Sequence, residues 1–183
     1  MSSSKIIIED YSPLWPVAFE QLKAGLLAQL GELAADIQHV GSTAVAGLAA
    51  KPVIDLDIII ESRAQLPAVI EKLAAMGYDY CGDQGIKDRE AFKQPGGSAI
   101  KHHLYVCPQH SASLKNHLAL RDLLRADPAL VIAYGNLKKE LAVKYAHNID
   151  LYVENKTAFI ISALKMCGFN NDALQEITEQ NKA

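Results

Sequence analysis

Asp55 and Asp57 stand one residue apart in the run Val53-Ile54-Asp55-Leu56-Asp57-Ile58-Ile59-Ile60. Side chains of a β-strand alternate faces, so the two carboxylates point the same way. So apolar a run predicts a strand buried on both faces, where an unpaired ionised carboxylate would be strongly destabilising. Something cationic must accompany them. A divalent ion suits the pair, because Mg²⁺ takes one or two protein carboxylates and completes its shell with water and substrate phosphates. Asp55 and Asp57 are therefore candidate Mg²⁺ (or Mn²⁺) ligands and candidate catalytic residues.

Twelve residues upstream of the pair, Gly41-Ser42-Thr43 follows a short predicted strand. A glycine at such a turn lets backbone N–H groups approach a phosphate closely, and the hydroxyls add hydrogen bonds. A phosphate-holding turn beside a metal-holding acid pair suits in-line phosphoryl or nucleotidyl transfer assisted by metal. Gly41, Ser42 and Thr43 are thus candidate nucleotide-binding residues. Lys51, just before the acid strand, and Arg89, in the polar loop Lys87-Asp88-Arg89-Glu90, are candidate phosphate partners. His102 and His103 are adjacent and face opposite sides of a strand, so they do not easily share one ion, and a zinc hydrolase built on His102, His103 and His110 ranks behind. The pair Lys138-Lys139 and the stretch Asp122 to Arg125 read as solvated helix faces.

The elements that must position these residues can be read from periodicity. Ile6 to Ile8 is an edge strand or a packing arm. Pro16 to about Leu33 predicts an amphipathic helix, Ala35 to Val40 a strand, and Glu61 to Met76 a helix closed by Gly77. Tyr78 to Cys81 and Ala91 to Lys93 are short strand candidates. Ile100 to Val106 is a strand with His103 and Tyr105 on one face, and a plausible neighbour of the acid strand. Beyond Pro108 the pattern is helical: Ser111 to Arg125, a helix capped by Asp127 with Pro128 at its first position, and one capped by Asp150 running to about Cys167. The tail from Asn170 adds one more turn or frays. This arrangement predicts an α+β protein with a mixed sheet and a helical last third.

The 183 residues predict one domain over 1–183, with mixed sheet and helices in 1–110 and helices in 111–183. Half the residues are apolar and the formal charge is −3, which offers no global basic field to nucleic acid or an anionic membrane. No apolar run reaches the roughly 18 residues that span a bilayer, and the first residues lack a signal-peptide pattern, so a cytoplasmic protein is expected. Cys81, Cys107 and Cys167 are widely spaced and form no metal motif.

The strings His39-Val40-Gly41-Ser42-Thr43-Ala44-Val45, Gly47-Leu48, Ala50-Lys51-Pro52 and Asp55-Leu56-Asp57 together resemble the signature of the GrpB family. Further matches fall at Gly85-Ile86 with Arg89, at His102-His103-Leu104, at Arg121-Asp122, and at Lys156 with Phe159-Ile160. The resemblance implies a nucleotidyltransferase-like fold of the polymerase-beta palm type. It makes Gly41-Ser42 the counterpart of the nucleotidyltransferase G-S motif and Asp55 and Asp57 the metal-binding acids. It also implies a nucleoside triphosphate as ligand, a small-molecule or protein acceptor, and phosphate contacts from Arg89 with Lys51 or Lys156. This chain departs from the family pattern at Ala46, where proline is usual, and at Tyr105, where histidine is. Nucleotidyltransferases commonly add a third acid from a neighbouring strand, where this chain has His103 and Tyr105. His103 or a water-borne base must then take the acceptor's proton, with His103 the candidate residue, and the alternative is a nucleotide-binding or accessory module of the same fold that transfers nothing.

Overall fold

A computed structural model describes residues 5–180. Its sheet has five strands, β1 (Asp36–Val40), β2 (Ile54–Ile60), β3 (Asp79–Tyr80), β4 (Glu90–Lys93) and β5 (His102–Pro108), in the order β1-β2-β5-β4-β3. β2 and β5 are parallel; the other pairings are antiparallel. The helices are α1 (Leu14–Leu30), α2 (Leu66–Ala75), α3 (Ala112–Ala126), α4 (Pro128–Lys144), α5 (Ile149–Met166) and α6 (Asn171–Gln180). The α+β class, the mixed sheet and the helical last third are as the sequence predicts.

β2 is an interior strand, paired with β1 and β5 and covered on both faces. Ile54, Leu56, Ile58 and Ile60 join Trp15, Phe19, Leu26 and Leu73 in the main core beneath α1 and α2. Asp55, Asp57 and Ile59 point to the other face, where Ile59 packs with Cys107 and Leu114 of α3. Leu114, Leu118 and Leu124 thereby fasten the helical third onto the acid-bearing face.

Several element ends differ from expectation for local reasons. α1 begins at Leu14, because Pro16 falls within the first turn, where an N–H has no helical partner to lose. It stops at Gly31, whose φ of 55° leaves the helical region. A capping box, Ser62 with Gln65, opens a short 3₁₀ turn before α2, so that helix starts at Leu66 rather than Glu61. Asn148, not Asp150, caps α5: its side-chain oxygen accepts from the Leu151 N–H at 3.0 Å. The tail from Asn171 is a ten-residue helix, anchored by Leu174 and Ile177 against Leu164. Ile6 to Ile8 forms an arm, with the Ile6 N–H donating to the Ala146 carbonyl. Among the described residues no helix is long and apolar enough to cross a membrane.

His39 ties the turn after β1 to the core. It stacks on Phe19 with ring centroids 4.6 Å apart, and its Nε2 lies 3.0 Å from the Thr43 hydroxyl. Burial drives its pKa down from 6.5 to about 4, with Asp55 opposing and Arg125 and Arg121 assisting. The folded protein therefore keeps His39 neutral at pH values where the unfolded chain protonates it. Stability is lost as pH falls from about 6.5 toward 4. Between pH 7.5 and 4.5, urea unfolding of the wild type should lose about 2.5 kcal/mol more than that of His39→Gln. Equal slopes would contradict the assignment.

Candidate active site

β2 and β5 run side by side in register, which sets Asp55 beside His103 and Asp57 beside Tyr105. Each acid holds a histidine through one oxygen. His103 Nδ1 donates to Asp55 Oδ1 at 2.7 Å, and His117 Nδ1, from α3, donates to Asp57 Oδ2 at 2.8 Å. A carboxylate only accepts, so both ring nitrogens carry the proton. The other oxygens are differently placed. Asp57 is fully buried, and its Oδ1 has no hydrogen-bond partner among the described residues. Asp55 Oδ2 faces Gly41, where an added Cβ would lie 2.3 Å from it. Gly41 also has φ 68°, so both the close approach and the backbone conformation require glycine.

From Gly41 the chain enters a 3₁₀ turn, Ser42–Ala44. Thr43 is buried, its hydroxyl donating to the Val53 carbonyl at 3.3 Å. Arg125 clamps the turn from α3, its Nε and Nη2 reaching the Ala44 carbonyl at 3.0 and 2.9 Å. Arg121 donates to the His39 carbonyl at 3.0 Å and to the Gln38 side chain at 2.6 Å. Both arginines therefore hold the turn in place, Arg121 from a buried position and Arg125 while staying exposed, in keeping with the solvated face read from the sequence.

A cleft of about 440 Å³ opens above these groups. It brings together Ser42, Thr43, Lys51, Asp55, Arg89 and His103 of the predicted set; Asp57 lies beneath and Gly41 at the edge. Lys156 of α5, also expected from the resemblance, joins them, and the cleft adds Tyr105 from the sheet, Lys138 from α4 and Tyr152 from α5. The side chains of Lys51, Arg89, Lys138 and Lys156 make no ion pair or hydrogen bond with any described residue. Three of them lie against rings: Arg89 lies 4.6 Å from the Tyr105 centroid, Lys138 4.6 Å from Tyr134, and Lys156 5.5 Å from Tyr152. Lys138 is only 2% exposed, which corrects the reading of Lys138-Lys139 as a solvated pair; Lys139 alone faces solvent, paired with Asp10. Burial, with Lys156 close by, pushes the Lys138 pKa down to about 7 against the pull of Asp55. Burial lowers Lys156 as well, again opposed by Asp55. Burial lowers His117 too, but the Asp57 carboxylate outweighs it and the net direction is up.

A third carboxylate does not join the pair. Glu90 on β4 sits opposite Val106, which turns it to the α1/α2 face, where Arg63 pairs with it at 2.8 Å. His102 likewise turns away, bonded to the Tyr78 hydroxyl at 2.8 Å. Among the described residues no group of three or more His, Cys, Asp or Glu side chains is arranged around a common point to hold a metal. What remains is a pair of hard oxygen donors, one with an unpartnered buried oxygen, which fits Mg²⁺ better than a zinc cage. Sequence reasoning missed His117 and Lys138, since neither helix residue carries a local motif.

The family model described as GrpB protein matches residues 5–166. The chain belongs to the GrpB family. It is 35% identical over 159 residues to the UPF0157 protein YqkA of Bacillus subtilis, a match covering 87% of this chain and 46% of the relative, so the chain spans about half that protein's length. The crystal structure of the conserved protein GrpB from Enterococcus faecalis is 33% identical, with TM-score 0.79 over 93% of this chain and 98% of that one. At the level of fold alone, the chain is similar to terminal uridylyl transferase 4 from Trypanosoma brucei with bound dUTP (12% identity, TM-score 0.54, 92% of this chain and 59% of that chain). It is also similar to the MgGTP-bound Cid1 poly(U) polymerase (19%, 0.52, 74% and 44%). The GrpB fold in this chain is therefore nucleotidyltransferase-like.

Lys138 gives a test of the cleft's charge. An unpartnered buried cation destabilises the ligand-free protein, so Lys138→Met should raise its stability by about 1 kcal/mol or more, roughly 2 °C or more in Tm. The same variant should lose most sulfate binding. In the wild type, sulfate binding should weaken as pH rises through about 7, because Lys138 must carry its proton to hold an anion. An unchanged sulfate affinity in Lys138→Met would contradict this.

Proposed function

We propose that this chain is a metal-dependent nucleotidyltransferase acting on a nucleoside triphosphate. One observation carries the reading: four cations without carboxylate partners surround an acid pair behind a Gly-Ser turn. Four positive side chains converging on one cleft call for a polyanion, and two acids with a free buried oxygen call for a cation. A metal-bound triphosphate supplies both. The fold shared with uridylyl-transferring enzymes supports the same class of ligand.

In this reading Ser42 and the backbone N–H groups of the Gly41 turn hold phosphate oxygens, and Lys51, Lys138, Lys156 and Arg89 steady the remaining charge. Asp55 and Asp57 hold Mg²⁺ or Mn²⁺, which when bound neutralises phosphate charge. The acceptor's oxygen bonds to the α-phosphorus as the bond to the bridging oxygen of pyrophosphate breaks. The acceptor's proton passes to His103 Nε2, which is free because Nδ1 is committed to Asp55. His117 orients Asp57 as His103 orients Asp55. Since the cleft draws on both the strands and the C-terminal helices, we treat residues 1–183 as one working unit. His103 in place of a third acid favours a second reading, a module that binds nucleotide without transferring it.

A thermal-shift series of nucleoside triphosphates with and without Mg²⁺ separates these outcomes. At ligand near 100 Kd, at least one triphosphate should raise Tm by about 5 to 10 °C in the presence of Mg²⁺. The Mg²⁺-dependent part should vanish in Asp55→Asn. No shift with any triphosphate would contradict nucleotide binding. A shift without turnover of α-labelled triphosphate, even with acceptor mixtures, would favour the module.

A further inference from the structure

The cleft adjoins a second cavity, Arg89 forming a wall of each. Along α5, Tyr152, Lys156, Ile160 and Leu164 follow one another at four-residue spacing and so form a single stripe. The first two line the cleft; the last two line a narrow neck of about 160 Å³ that also touches Arg89 and His117. Beyond the neck lies a groove of about 500 Å³ under α6, which shares Ile86, Ser113, Asn116 and Ile177 with it.

The character of the wall changes along this path. The cleft end is cationic, whereas the neck presents Ile86, Leu120, Ile160, Leu164 and Ile177. Two buried polar atoms without hydrogen-bond partners among the described residues border it, the Asn116 amide oxygen and Arg89 Nε. A lone buried acceptor such as Asn116 Oδ1 calls for a ligand that donates. In-line transfer requires the acceptor to approach opposite the departing pyrophosphate. If the lysines of α4 and α5 hold the phosphate tail, the acceptor must come past Arg89 and His117. Both residues line the neck.

We propose that the groove and neck form the acceptor subsite, and that the acceptor is a small aliphatic alcohol whose hydroxyl docks by donating to Asn116 Oδ1 and moves past Arg89 to the base His103 when it reacts. This rests on the transferase reading and adds no bond-making step to it. The walls are too apolar for a phosphate backbone, and Lys87 and Lys115 are the cations at the mouth.

The test is a ¹H–¹⁵N titration of the full chain with hexan-1-ol, then with MgATP, on wild type, Asn116→Leu and Ile177→Trp. Hexan-1-ol should shift the amides of Ser113, Asn116 and Leu120 with or without Mg²⁺. Asn116→Leu should weaken it about fivefold, the loss of one neutral hydrogen bond. Ile177→Trp should block it while MgATP still shifts Ser42 and Lys51. Should Ile177→Trp fail to fold, Asn116→Leu decides. Alcohol shifts confined to the cleft, or affinity unchanged in Asn116→Leu, overturn the subsite while leaving nucleotide binding intact. Alcohol binding in the groove without any MgATP response overturns the transferase reading and the acceptor role with it.

Discussion

Everything at this site depends on two carboxylates held on one face of an interior strand that is covered on both sides. Asp57 is fully buried and Asp55 partly so, and each is fixed by one histidine through one oxygen. Neither histidine comes from the strand itself: His103 comes from β5 and His117 from α3. The acid pair is therefore a point where sheet and helices are locked together. Gly41 is glycine because Asp55 Oδ2 occupies the space a side chain would need.

The helical third is organised around the opposite charge. Lys138 and Lys156 reach down from α4 and α5 and are substantially desolvated, held by tyrosine rings rather than by carboxylates. Such groups lower the stability of a ligand-free fold, since a buried cation without a partner is among the least favourable arrangements in a protein interior. In the proposed reading a bound anion completes this charge pattern, and the fold gives up stability to keep it. The aliphatic core beneath α1 and α2 supplies the margin for that sacrifice.

Much of this was legible in the sequence because it rests on local pattern. The period-two alternation of β2 gave the shared face of Asp55 and Asp57, and that of β5 separated His103 from His102. Asp127-Pro128 marked the start of α4 to the residue. Long-range choices were less legible. Nothing in the local sequence distinguishes Asn148 from Asp150 as a cap, and the structure uses Asn148. Lys138 reads as surface because Lys139 beside it is surface; only the cleft explains why one of the two turns inward. His117 and Arg125 act across 60 and 81 residues of sequence, on Asp57 and Ala44, and no spacing rule reaches that far.

The central claim is that Asp55 and Asp57 bind a divalent ion that carries a triphosphate among Lys51, Arg89, Lys138 and Lys156. Its most direct test is a crystal structure with Mn²⁺ and a non-hydrolysable triphosphate, read by manganese anomalous scattering. The prediction is an anomalous peak bound by Asp57 Oδ1 and an Asp55 oxygen, with phosphate oxygens within hydrogen-bond distance of Ser42 and at least two of the lysines. A nucleotide bound elsewhere, or an acid pair still closed on its two histidines with no manganese at saturating concentration, would contradict it.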